Sequence, residues 1–229
     1  MIYNVICGVS FILYILISGL LEKTRKKELI LRILSIVIFV YKATHYILEN
    51  IKGNLCIPVE ISCISYFLIP LILSFRIKKL YNVGAFFGIA AGIGYFAFYT
   101  ACGFTVYESF SVTDILTGCF CHGYLFVCGL YLFKNYTFAE KGKLSIWVAL
   151  LGMLAWALVF YDVEIRGITF IYYIIKPQFL LIFQSMPLNV MIIMVYYLVL
   201  AVAFYGVVKL FYKLNSNPKL LRKRLLATA

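Results

Sequence analysis

The sequence predicts an all-α, polytopic membrane protein, a bundle of about seven transmembrane helices, on three observations. Hydrophobic residues make up 64% of the 229-residue chain and charged residues only 13%, with a mean hydropathy of +0.99. That leaves too little polar surface for a soluble domain of this size. Several apolar stretches reach the roughly 18–20 residues that a membrane-crossing helix requires. Runs such as Met191 to Val208 also lack the alternation of apolar and polar residues that marks a transmembrane β-barrel. The expected organisation is a single integral membrane domain over residues 1–229, multi-pass in the cell membrane, with membrane lipids as its partners.

The spans are justified in order. The first, 2–21, is an apolar run whose basic residues come after it, unlike a secretory signal peptide, so it reads as an anchor helix. The second, 29–48, is apolar until Lys42, His45 and Glu49. The third, 56–75, opens on Pro58, Glu60 and Cys63. The fourth, 83–101, carries Gly84, Gly88 and Gly92 at four-residue spacing, plus Gly94. Small residues at that spacing let a second helix approach closely, and internal packing is the expected use. The fifth, 114–133, starts at Asp114 and includes His122. The sixth is 144–161, and the seventh, 188–211, leads into a basic tail, 212–229. Residues 165–187 are apolar but are interrupted by Lys176-Pro177 and Pro187. A span there would invert the tail, so a re-entrant or interfacial segment on the outer side is expected.

Loop charges set the orientation. Lys23, Arg25, Lys26 and Lys27 follow span one, Arg76, Lys78 and Lys79 span three, and Lys134, Lys141 and Lys143 span five. Lys213, Lys219, Arg222, Lys223 and Arg224 lie in the tail. The opposite loops hold only Lys52, Arg166 and Lys176. The positive-inside rule then gives an N-terminus outside and a C-terminus in the cytoplasm. The same distribution accounts for the net charge of +12 as topology control, so no nucleic-acid partner is expected. The seven cysteines show no metal-ligand spacing, and no cofactor is expected. Cys56 and Cys102 both fall near the outer surface, where a disulfide is sterically open to them.

Ionisable groups within lipid are costly and mark functional sites. Here they gather near the outer ends of three spans. Lys42, His45 and Glu49 share a face at i, i+3 and i+7. Glu60 and Cys63 share one at i and i+3. Cys63 is placed about 10 Å, and His122 about 12 Å, from the outer ends of their spans. His122 is the strongest candidate, able to accept and donate protons near neutral pH. Its alternative is a histidine bonded across helices for packing. Cys63 is a candidate nucleophile if a base activates it, and Ser62, Ser65 and Tyr66 offer hydroxyls nearby. Glu60 either orients a histidine or pairs with Lys42. Lys42, Glu60 and His45 are candidates for substrate binding or a charge pair; His45 and Glu49 also lie close enough to the interface to be ordinary headgroup-level residues, and Asp114 reads as a helix-start carboxylate.

The stretch Pro58-Val59-Glu60-Ile61-Ser62-Cys63-Ile64-Ser65-Tyr66-Phe67 resembles the Pro-x-His/Gln/Glu-x-Cys region of the YwaF-type bacterial integral membrane proteins. The glycine-rich Phe86–Tyr95, the His122-Gly123 pair and the proline-interrupted Phe170–Pro187 follow in that family's order, so the resemblance covers about residues 30–212. That family is similar to eukaryotic transmembrane protein 164, a lipid acyltransferase. The resemblance implies an intramembrane nucleophile at Ser62 or Cys63 paired with His122. Counted from Pro58, the family cysteine falls at Ser62, whereas this chain places its cysteine one residue later, a helical rotation of about 100°. Three functions are therefore compared: a lipid acyl-transfer or ester-hydrolysing enzyme, a small-solute or proton-coupled transporter or binding protein, and a structural membrane protein. The absence of an evident inverted repeat argues against the second.

Overall fold

A computed structural model describes residues 2–102, 111–160 and 190–217. The segment 165–187, expected to be re-entrant or interfacial, and residues 218–229 of the tail lie outside the described residues. So does the side chain of Cys102, the suggested partner of Cys56. Among the described residues there are seven α-helices: α1 (Ile2–Glu22), α2 (Lys27–Ile51), α3 (Ile61–Ser74), α4 (Tyr81–Cys102), α5 (Val112–Asn135), α6 (Lys143–Val159) and α7 (Val190–Asn215). Short 3-10 turns, Lys78–Leu80 and Glu140–Gly142, precede α4 and α6. Six of the seven α-helices, all but α3, are long and apolar enough to cross a membrane, α4 and α6 together with the turns before them. The chain is an all-α, multi-pass membrane protein.

The third helix differs from the expected span of 56–75. It has 14 residues, a length of about 21 Å, and is preceded by a stretch at 54–59 without regular secondary structure. Pro58 explains the delay: it has no N–H to give a helix and biases the residue before it to extended conformations. This non-helical stretch is held by Asn50, whose side chain donates to the carbonyls of Tyr46 and Cys56, both at 2.7 Å, and accepts from the Cys56 N–H at 3.3 Å. Gly53, at φ 82°, ends α2 in the left-handed conformation. There the Asn54 N–H donates to the Glu49 carbonyl at 3.0 Å, a Schellman closure. At the other end of α3 the left-handed position falls to Arg76, φ 52°, with the Ile77 N–H donating to the Ile72 carbonyl at 3.0 Å. Its side chain is secured by an ion pair to Glu28 at 2.9 Å.

The chain divides into two compact units, the first comprising Met1–His45 and Ser62–Tyr136. Here α5 is the central helix: 67% of its apolar stretch is buried, against 11% for α1. The glycine face of α4 packs on α5, as the sequence suggested. A Cβ at Gly88 would meet the Leu125 carbonyl oxygen at 2.7 Å, and one at Gly129 the Ile89 nitrogen at 2.6 Å, so neither position accepts a side chain without separating the helices. Helix α1 lies against α4 and α5, with the Tyr14 ring seated over Gly123 and Phe11 stacked on Phe96 at 5.2 Å. Helix α2 is joined to α5 by Tyr124, whose hydroxyl donates to Ser35 at 2.8 Å. Lys27, Glu22 and Asn135 tie the ends of α2, α1 and α5: the Lys27 ammonium donates to Glu22 at 3.1 Å and to Asn135 at 2.7 Å.

The second unit comprises Tyr46–Ile61 and Thr137–Ala229. Within it Trp156 of α6 donates to the Pro58 carbonyl at 3.1 Å, fixing the non-helical stretch before α3, and Val59 and Ala157 are both fully buried. Trp147 of α6 meets Phe204 of α7 edge-on at 4.6 Å. Helix α7 is apolar on all sides, and none of its most apolar stretch is buried. Outward apolar surface of this kind suits lipid contact. Its helix continues to Asn215, so the first residues of the expected tail are helical and Lys213 falls in the last turn, where a cation is favoured.

Candidate functional site

The site is built in the first unit from α2, α3, α4 and α5, around His122. The close approach of α4 to α5 places the imidazole. A Cβ at Gly92 would lie 3.2 Å from the His122 carbonyl oxygen and 2.5 Å from the Phe126 Cβ. With no side chain there, α4 comes near enough for His122 Nδ1 to reach the Ala91 carbonyl at 3.2 Å. A carbonyl oxygen can only accept, so in this bond Nδ1 carries the proton and donates. In the neutral ring the lone pair then resides on Nε2. The Tyr95 ring stacks on the imidazole at 3.9 Å, the planes 12° apart. Tyr66, from α3, meets it edge-on at 5.8 Å.

Lys42 enters from α2. Its ammonium lies over the Tyr66 ring at 4.6 Å from the centroid and over Tyr41 at 5.5 Å. These are cation–π distances, strengthened where water is excluded. Tyr66 is thus the residue that contacts both Lys42 and His122. Lys42 stands nine residues before the end of α2 and His122 ten residues after the start of α5, about 14 and 15 Å along their helices. Both are deeper than the outer-end placement expected from the sequence.

The other predicted residues are placed as follows. Ser62 and Cys63 are partly buried in the first turn of α3. Cys63 is therefore only about 3 Å along its helix, not the 10 Å expected, because α3 starts late. Neither is among the polar and ring contacts of His122, which run to Ala91, Tyr95 and Tyr66. They precede Tyr66 by four and three residues, one turn away on its side of α3. Glu60 lies before α3 rather than within it, so a helical face shared with Cys63 does not apply. His45 is exposed on α2 and stacks loosely on Tyr41 at 6.5 Å. Glu49 pairs with Lys52 at 2.8 Å and accepts from Asn54 at 2.9 Å. Asp114 is the N3 residue of a capping box: it accepts from the Ser111 N–H at 3.0 Å, and Ser111 accepts from the Asp114 N–H at 3.2 Å. Its role is to start α5.

Two contributors were not singled out by sequence reasoning. Spacing along the chain marks Tyr66 only as a hydroxyl, although it sits one turn after Ser62 and Cys63. Tyr95 lies three residues beyond Gly92, on the part of α4 that approaches α5, and that spacing was its available signal. Among the described residues no group of three His, Cys, Asp or Glu side chains forms a metal site. Chemically, the arrangement offers a cation, an imidazole with a defined tautomer and an aromatic wall. Comparison with known proteins adds no assignment: no family model, curated protein or solved structure matches this chain.

Proposed function

We propose that this chain is an enzyme of the cell membrane that acts on lipid acyl esters from the outer leaflet, by transfer or hydrolysis, as the resemblance to the YwaF-type proteins implies. The observation that carries the reading is the joint contact of Lys42 and His122 with Tyr66 at matching depths in their helices. Ser62 or Cys63, one turn away on α3, attacks the ester carbonyl. His122 Nε2 takes the nucleophile's proton and returns it to the departing alkoxide. Lys42 stabilises the oxyanion that forms between the two steps. Water or a second lipid hydroxyl then resolves the acyl-enzyme. A lipid reaches such a site laterally, which suits a chain dominated by membrane-spanning helices.

Proteoliposomes containing phospholipid labelled in its acyl ester test the proposal. Wild type should release or transfer the label, and His122→Ala should lower the rate by at least about 100-fold, the usual contribution of a general base. Turnover unchanged in a folded His122→Ala protein would remove the base. A packing role for His122 is the competing reading, favoured by its bond to Ala91 and its stack on Tyr95. It predicts lower stability in the variant and no ester turnover in either protein.

A further inference from the structure

Two thiols that take no part in the proposed lipid-ester chemistry lie against each other. The sulfurs of Cys7 in α1 and Cys119 in α5 are 3.6 Å apart, although the residues are separated by 112 positions in sequence. Both are buried, at 0% and 3% exposure, in a cluster with Phe96 and Ile115. The separation is van der Waals contact for two sulfurs. Closure to a bond of about 2.05 Å needs an approach of about 1.5 Å, within reach of side-chain rotation and a small shift of α1.

We infer that Cys7 and Cys119 form a redox-active dithiol that closes to a disulfide stapling α1 to α5. Cys7 lies five residues and Cys119 seven residues into their helices, about 8 and 10 Å along them. That depth excludes hydrophilic oxidants and favours a lipid-soluble one. The co-reactant is accordingly a membrane quinone. Each thiol gives up its hydrogen, one S–S bond forms, and the quinone takes up two electrons and two protons to become a hydroquinone. The state of the pair also reaches the polar site, because Tyr95 packs against the cluster that holds Cys7 and Cys119 while its ring stacks on His122.

The test uses the full chain in lipid nanodiscs, treated with decylubiquinone, whose fully substituted ring does not alkylate thiols. Maleimide blocking and non-reducing peptide mass spectrometry then read the products. The expected result is a Cys7–Cys119 linked peptide, loss of two maleimide sites per chain and one hydroquinone per link. Cys7→Ser and Cys119→Ser should abolish the link, and Cys56→Ser should leave it unchanged. Closure should also shift the imidazole nitrogen resonances of His122. A folded wild-type chain that keeps both thiols under excess quinone, or that links other cysteines instead, overturns the inference. Unmoved His122 resonances on closure overturn the connection through Tyr95.

Discussion

Replacing Gly92 by alanine perturbs the helix crossing that positions His122. The new Cβ would stand 2.5 Å from the Phe126 Cβ and 3.0 Å from its Cα. Ordinary carbon contacts lie near 3.5–4.0 Å, so α4 and α5 must separate locally by about 1 Å. The Nδ1 to Ala91 distance, now 3.2 Å, would lengthen to about 4 Å and leave hydrogen-bond range. Overpacking costs about 1–3 kcal/mol and the lost bond about 1 kcal/mol, offset by about 1 kcal/mol of helix propensity gained by alanine. The net loss is about 1–3 kcal/mol. At Gly94, two residues on, an added Cβ would meet no atom within 4 Å, so Gly94→Ala should be neutral or stabilising by up to about 1 kcal/mol. Equilibrium unfolding of both variants in mixed micelles gives the comparison. Gly92→Ala as stable as Gly94→Ala would refute the close crossing and the placement of His122 that depends on it.

Other substitutions test separate elements. Gly53→Ala forces a Cβ into the left-handed conformation at φ 82° and should lower stability by about 1–2 kcal/mol in the same unfolding assay. Ser111→Ala removes half of the capping box of α5 and should cost about 1 kcal/mol, with faster amide exchange confined to the first turn. Tyr124→Phe deletes the hydroxyl that donates to Ser35 and should cost about 1 kcal/mol, read as a lower unfolding midpoint.

The membrane helices were legible because the features that define them are local: apolar runs of sufficient length, and loop charges at their ends. The glycine spacing of α4 likewise announced a close helix contact, since a smooth face has meaning only against a neighbour. The start of α3 was harder. Pro58 was visible, but its effect depends on Asn50 and Trp156, which hold the non-helical stretch from elsewhere in the chain. Reading residues 56–60 as helix also placed Cys63 too deep and gave Glu60 a helical face it does not have. Lys42 and His122 were identifiable as costly intramembrane groups. Their link through Tyr66, the stacking of Tyr95 and the Cys7–Cys119 contact are tertiary pairings, which spacing along one chain does not encode.

The proposed action of His122 on lipid is tested most directly in membranes from matched cells expressing wild type, His122→Ala or His45→Ala at equal levels, compared for their lipid acyl composition. The His122→Ala profile should revert to that of cells without the protein, while His45→Ala, altered at an exposed position on α2, should match wild type. Identical profiles for wild type and a folded His122→Ala protein would contradict it.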